Sequence, residues 1–463
     1  MSMKKNKSPP EVVGNQMNEF SSTTKINPPV IGEYHEKDEL YNPFEHRDKK
    51  DSNSNFGAFA HLIKSSLGSG ILAMPNAVRN GGLMFGGIGT ILIGIVCAHC
   101  VHILVKSSHV LCKRIKTPSM TYAETAQAAF QCGPPSLRKY ANFARLFVNA
   151  ALCATYIGGV CVYVVFIAES IKQVTDYRLD IDIDQRLYMA ALLPAVIILS
   201  QIRNLKYLVP FSMVANVSIM IGLALTLYYI IIDIQPISTV KNFSSIPQLP
   251  FFFATVIFAI EGIGVVMPVE NSMQKPQHFL GCPSVLNLTM TVVIMLYATL
   301  GICGYLAYGE TTYPIVTLNL PLPDTLAQTA KLLIALAILF TYGLQFYVPL
   351  EIVCAATRPW FSHRFAGIGE TVIRVLMACM TVAIAVAVPM LEPFIALVGA
   401  VFLSILGITI PAVVETISCW ECHLGTFKWR LWKNSFLVCF SIFALVTGTF
   451  VSLKSIVEKY SNT

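Results

Sequence analysis

Long apolar runs separated by short polar stretches fill the chain from residue 55 onward. A helix needs about 20 apolar residues to cross a hydrocarbon core roughly 30 Å thick. Runs of that order cover residues 55–78, 83–105, 138–171, 186–202, 209–232, 250–269, 283–308, 325–353, 369–389, 393–417 and 435–456, which predicts an all-α membrane protein with eleven spans. The third and eighth runs exceed what a membrane needs, so they tilt or their ends project into water. Residues 1–50 are rich in Lys, Asn, Pro and Glu, without an apolar core. They lack the short apolar stretch of a cleavable signal and are expected to form a disordered cytosolic tail, with residues 51–463 as the helical domain.

Composition excludes a soluble reading. The chain is 54% hydrophobic and 13% charged, with a mean hydropathy of +0.61, where a soluble domain carries about 25% charged residues. The net charge of +7 could suggest nucleic acid. Here the cations gather in alternate loops, as a chain embedded in a lipid bilayer requires, and no nucleic-acid partner is expected. Lys106, Lys113, Arg114, Lys116, Arg138 and Lys139 flank the second-to-third connection. Arg203, Lys206, Lys275, Arg358 and Arg364, then Lys428, Arg430 and Lys433, mark the later loops of the same side. The third-to-fourth loop is acidic (Asp176, Asp180, Asp182, Asp184). The positive-inside rule then puts the amino terminus in the cytosol and the carboxyl terminus outside or in a lumen, across a plasma or endolysosomal membrane. Asn242-Phe-Ser supplies a glycosylation sequon on a predicted outer loop, whereas Asn216-Val-Ser and Asn287-Leu-Thr fall inside spans.

Other chemistry is thin. Most of the thirteen cysteines lie in apolar runs and are expected to be small lipid-compatible residues, not a disulfide framework. Cys419-Trp-Glu-Cys422-His423 matches a haem-attachment pattern in its letters, but no second ligand set accompanies it, so no cofactor is expected. No Walker loop, kinase motif or metal-ligand cluster appears, which argues against an enzyme, a metal site or an ATP-driven pump. Nothing in the sequence specifies an oligomeric state.

The most informative segment is His61-Leu-Ile-Lys64-Ser-Ser-Leu-Gly68-Ser69-Gly70-Ile-Leu-Ala-Met-Pro75. In a helix interior Gly costs about 1 kcal/mol and Pro about 3 kcal/mol against Ala. Lipid tolerates such a break only where the opened backbone faces protein or a cavity. The pattern recurs in the sixth run as Glu261-Gly262-Ile-Gly264-Val-Val-Met-Pro268. Gly-x-Gly followed by Met-Pro in two oppositely directed spans is what an inverted repeat of five plus five helices requires, and it points to a binding site at the breaks. Close helix packing is the alternative, as for Gly82-xxx-Gly86. A break exposes N–H groups that suit a carboxylate and C=O groups that suit an ammonium, so a zwitterionic amino acid satisfies both. Ser69 adds a hydroxyl, and Gly68, Gly70, Gly262 and Gly264 let backbone approach the ligand. Tyr156, Gly158, Phe258 and Thr341 are further wall candidates, each with packing as its alternative.

Two ionisable residues stand out, because burying them in a membrane is costly. His61 lies two turns before the first break and titrates near pH 6.5 in its unperturbed form. It is either a proton-coupling residue or a structural hydrogen-bond partner. Glu261 sits at the second break, where a carboxylate must be neutralised or paired. It is either a second proton carrier, in contact with substrate, or an acceptor for freed N–H groups. Lys64 is expected to reach the cytosolic surface as an anchor or ion-pair partner.

At these residues the chain resembles the proton-coupled amino-acid transporter family, within the amino acid/auxin permease group. The motifs are Asn42-Pro-Phe-Glu-His, His61-Leu-Ile-Lys with Gly68-Ser-Gly, Glu261-Gly-Ile-Gly-Val-Val-Met-Pro-Val-Glu-Asn271, Thr317-Leu-Asn-Leu-Pro321 and Gln345-Phe-Tyr-Val-Pro-Leu-Glu351. The resemblance implies a LeuT-like inverted repeat with repeats at about 55–232 and 250–417 and an extra eleventh helix at about 435–456. It also implies proton-linked symport of small neutral amino acids such as glycine, alanine and proline, with the family's first-helix histidine at His61. An amino-acid sensor and a proton-independent facilitator are the rival readings. Two features depart from the family pattern. Lys64-Ser-Ser-Leu stands where many members have Lys-Gly-Asn-Ile, and the third-to-fourth and seventh-to-eighth outer loops contain no cysteine for the disulfide that some members form.

Overall fold

The first apolar run folds as two helices, α1 (Asn55–Ser66) and α2 (Ser69–Gly81). A computed structural model describes residues 41–47, 52–66, 68–203, 205–260, 262–282, 284–358, 366–420 and 425–461. Residues 1–40, most of the expected tail, lie outside the described residues, as do Glu261, Cys422 and His423. After α2 come α3 (Leu83–Ile115), α4 (Tyr122–Gln131), α5 (Ala141–Leu179), α6 (Gln185–Ala191), α7 (Leu193–Ser200) and α8 (Val209–Asp233). The second half holds α9 (Leu249–Ile260), α10 (Ile263–Asn271), α11 (Val285–Tyr308), α12 (Thr325–Thr357) and α13 (Ala366–Ala387). α14 (Leu391–Val398) passes through π-helical turns into α15 (Ile410–Ser418), and α16 (Trp429–Ser461) follows.

Among the described residues the fold is helical, and nine helical stretches are long and apolar enough to cross a membrane. The first run is not one of them because it is broken. The fourth, Gln185–Ser200, is shorter and split at Leu192. Pro194 stands in the first turn of α7, has no N–H to bond into the turn before it, and restarts the helix there. α5 runs past its apolar stretch to Leu179 and ends on Asp180 in the left-handed region (φ 52°). Its last turns are held by Lys172, which donates to Asp176 and Asp182, each at 2.6 Å. α4 lies between two apolar runs; a capping box between Thr121 and Glu124 starts it. Ile88, Leu92 and Ile95 on α3 and Met213, Val217 and Met220 on α8 face outward. Such continuous apolar faces suit hydrocarbon, not water.

α2 lies between α9 and α11 at backbone distance. A Cβ on Gly70 would stand 2.8 Å from Ala259 Cα, and one on Gly304 would stand 2.5 Å from Pro75 Cγ. Small residues thus let three helices meet around the first break. Gly82 turns the chain at φ 84°, a conformation that favours glycine. There the predicted outer loop docks on the start of α3: Leu83 N–H donates to Lys241 O (2.8 Å) and Met84 N–H to Asn242 O (3.1 Å), leaving Asn242 exposed.

Residues 41–47 strap across the opposite end. Arg47 donates through Nη1 to Glu270 Oε1 (2.9 Å) and through Nε to Pro118 O (2.9 Å). His109 Nε2 lies 2.8 Å from the same carboxylate oxygen, and Phe44 packs edge-on against the His109 ring. Glu270 is completely buried in this triad. Beside it, Asn53 pairs with the chain after α10, donating to Ser272 O (2.7 Å) and accepting from Gln274 N (2.9 Å). The strap is thereby tied to the ends of α3 and α10, and Asn53, just before α1, to the chain after α10.

Candidate functional site

The interruption between α1 and α2 has two unlike sides. On the α1 side, backbone oxygens freed by the break have protein donors. The hydroxyls of Ser65 and Ser66 donate to Leu62 O at 2.9 and 3.1 Å. Ser66 O accepts from Gly68 N (2.8 Å) and from the Tyr297 hydroxyl of α11. On the α2 side, Gly68 is extended and caps the helix with no side-chain bond. Gly262 begins α10 in the same way, without a side-chain cap. A half-helix start with its positive dipole end, as at α2, is suited to an anionic group.

These breaks border a cavity with two connected compartments. The middle one, of about 130 Å3, is walled by Gly68, Ser69, Gly70, Tyr156, Phe258 and Gln345, among others. The second, of about 160 Å3, continues along α1 toward Lys64 and His61 and is walled across from them by Ser212 and Asn216 of α8 and Thr341 of α12. Both share Ser65, Gly68, Ser69, Tyr156, Tyr163 and Gln345, so they form one passage. Lys64 and Ser65 are exposed whereas Ser69 and Gly70 are buried, which shows that the passage is entered from the α1 side.

Seven of the expected residues thus meet in one place: His61, Gly68, Ser69, Gly70, Tyr156, Phe258 and Thr341. Thr341 already donates to Ala337 O (2.8 Å) in its own helix, which leaves it free only to accept. The other expected glycines are not among the residues that wall it. A Cβ at Gly264 would stand 2.5 Å from Tyr156 Oη, so this glycine makes room for the tyrosine. A Cβ at Gly158 would press on Val398 (3.0 Å), whereas one at Gly262 would meet nothing within 4 Å. Glu261 lies outside the described residues. Lys64, expected at the surface, is exposed, and across the passage it donates to Ser212 Oγ (3.2 Å).

Tyr163 and Ser212 belong to no sequence motif, Gln345 stands at the head of a family motif, and Asn216 in a sequon inside a span. The signal available was polarity within apolar runs, which lipid-facing positions do not tolerate.

At the far end of α2 the passage is shut. Glu392 Oε1, at the start of α14, accepts from Asn76 (2.9 Å), Asn80 (2.7 Å) and Arg79 (3.0 Å). Arg79 also donates to Thr312 O, which pins the loop after α11 into the same cluster.

Comparison with known proteins gives the setting. A family model described as transmembrane amino acid transporter protein matches residues 51–454. The chain is similar to the proton-coupled amino acid transporter-like protein pathetic of Drosophila melanogaster, 42% identical over 424 residues, 91% of this chain and 89% of that one. It is similar to vacuolar amino acid transporter 4 of Saccharomyces cerevisiae, 29% identical over 311 residues, 66% of this chain and 41% of that one. Among solved structures, the nucleobase-cation-symport-1 family transporter Mhp1, closed around bromovinylhydantoin, matches with a TM-score of 0.52 at 13% identity, over 90% of this chain and 94% of that one. Mhp1 in its inward-facing conformation matches at 0.51 with 12% identity, over 90% and 91% of the two chains. At such identities the likeness is one of fold.

Proposed function

The chain belongs to the transmembrane amino acid transporter family, and from that membership we propose that it is a symporter moving small neutral amino acids with protons by alternating access. One observation carries the reading: the passage runs past the start of α2, which no side chain caps. The carboxylate of an amino acid would take the N–H groups of Ser69 and Gly70 at the start of α2. Its ammonium would lie toward the carbonyl end of α9, and its side chain between Phe258 and Tyr156. A middle compartment of about 130 Å3 suits a small side chain.

Proton coupling is assigned to His61, which faces the passage, and to Glu261 at the second break. Protonation of either removes or adds one charge beside the substrate, so substrate and proton occupancy are linked by ordinary electrostatics. The name of the Drosophila relative supports proton coupling as such. The nine long helices, joined by the broken first span and the short fourth, make eleven spans in this reading. They divide into inverted repeats of five, residues 55–232 and 250–417, with residues 435–456 outside the repeat. The amino terminus then lies in the cytosol, so the passage faces inward and the Glu392 cluster closes the outer side.

Uptake of labelled glycine, alanine and proline into expressing cells, at about pH 5.5 and about pH 7.5, tests the reading where histidine titrates. Saturable uptake with inward current at the lower pH is expected. Binding without flux would make the protein a sensor, and flux indifferent to pH would make it a facilitator. His61→Ala should abolish proton-driven accumulation while the protein still reaches the membrane.

A further inference from the structure

The two compartments differ in charge. The middle one is lined, among the described residues, by uncharged side chains. The inner one adds two bases, His61 and Lys64, and none of its described lining residues is acidic. Resting on the transport reading above, we propose that Lys64, with Ser212 and Asn216, forms a second carboxylate-binding station that an amino acid occupies between the helix breaks and the cytosol.

Lys64 lies two residues before the end of α1 and its ammonium reaches across to α8, where Ser212 Oγ accepts at 3.2 Å. A neutral hydroxyl satisfies one of three ammonium donors and none of its charge. Among the described residues no other acceptor is bonded to it, which leaves two donors for a carboxylate, beside the amide of Asn216. Ile338, Phe340 and Val348 line the same space, and apolar walls strengthen a charge–charge contact relative to water. A zwitterion leaving the breaks must give up the half-helix N–H groups before water replaces them. A cation on the exit path offers its carboxylate a partner in that interval. Conduction through a series of moderate sites, none too tight to leave, is the same principle that keeps channels fast.

Amino-acid flux in sealed vesicles of both orientations tests this. Lys64→Met should raise the half-saturation concentration measured from the cytosolic side about tenfold, the loss expected for one charge-assisted hydrogen bond. The outer-side value should move far less, and Lys64→Arg should restore the inner one. An unchanged inner value, or an equal shift on both sides, overturns the station. A second measurement needs no variant. Modification of Lys64 by an amine-reactive probe, applied to wild-type protein from the cytosolic side, should be slowed by propionate and not by propionamide, neither of which carries an amine to consume the probe. Equal protection by both, or none by propionate, overturns it as well. Wild-type vesicles that carry no amino acid would instead overturn the transport reading itself, so the two failures are distinguishable.

Discussion

Gly70 has room for a hydrogen atom and nothing larger. The nearest atoms to an added Cβ are backbone atoms of Ala259, which cannot swing aside as a side chain could. Gly70→Ala should therefore destabilise the protein by about 1–3 kcal/mol, the usual cost of overpacking. It should also lower the apparent unfolding midpoint of the detergent-solubilised protein. Gly262→Ala makes the complementary case: its Cβ would enter open space, so the midpoint should stay put and any lost transport would report on the ligand's own approach. A midpoint that falls equally for both would mean that the alanine side chain, and not the proximity of α9, is at fault. These two glycines look alike in the sequence. Only the path of the neighbouring helix separates them.

Among the elements, α10 carries a buried ion pair. Glu270 is fully buried, with Arg47 at 2.9 Å and His109 at 2.8 Å. Removing one partner of a buried pair strands the other charge, at a cost of about 3–5 kcal/mol. Glu270→Ala should lower the unfolding midpoint strongly. Arg47→Ala should both destabilise the protein and free residues 41–47 for proteolysis ahead of the helical domain; a strap as resistant to protease as in wild type would contradict its docking role. The outer loop offers a topological test. Asn242→Gln should abolish a glycosidase-sensitive shift in electrophoretic mobility, and wild-type protein with no such shift would count against an outer placement of that loop. The elements also mark how far the sequence was readable. The apolar runs and the paired Gly-x-Gly breaks were plain, because membrane burial punishes irregular backbone. α4 was missed although Thr121 and Glu124 spelled its capping box, since a ten-residue helix lacks the apolar length that signals a span. The split at Pro194 was missed for the opposite reason: its flanks are apolar throughout, so the run looked continuous.

For the whole molecule, the closed and open ends of the passage define one conformation. Glu392 gathers three donors from α2 at the closed end, joining the broken first span to α14. Glu392→Gln would keep the shape but weaken each of those bonds, because hydrogen bonds to a charged acceptor are about twice as strong as neutral ones. If alternating access operates, the variant should spend more time open at that end. The measurable result is faster modification of a Phe258→Cys reporter by an impermeant thiol reagent applied from outside. Rates equal to those of the reporter alone would show that the cluster does not hold the seal.

Hydropathy and glycine placement by themselves determined that the chain crosses a membrane many times and that its first and sixth spans break near their middles. Both follow from local rules: the length of an apolar run, and the cost of Gly and Pro within a helix. The depth of the site was decided elsewhere. Whether a polar residue in a span faces lipid, a neighbour or a passage depends on helix rotation and packing, which apolar runs without strong periodicity do not specify. So Asn216 appeared only as an unused sequon and Gln345 only within a motif, until the fold set α1 across a common space from α8 and α12.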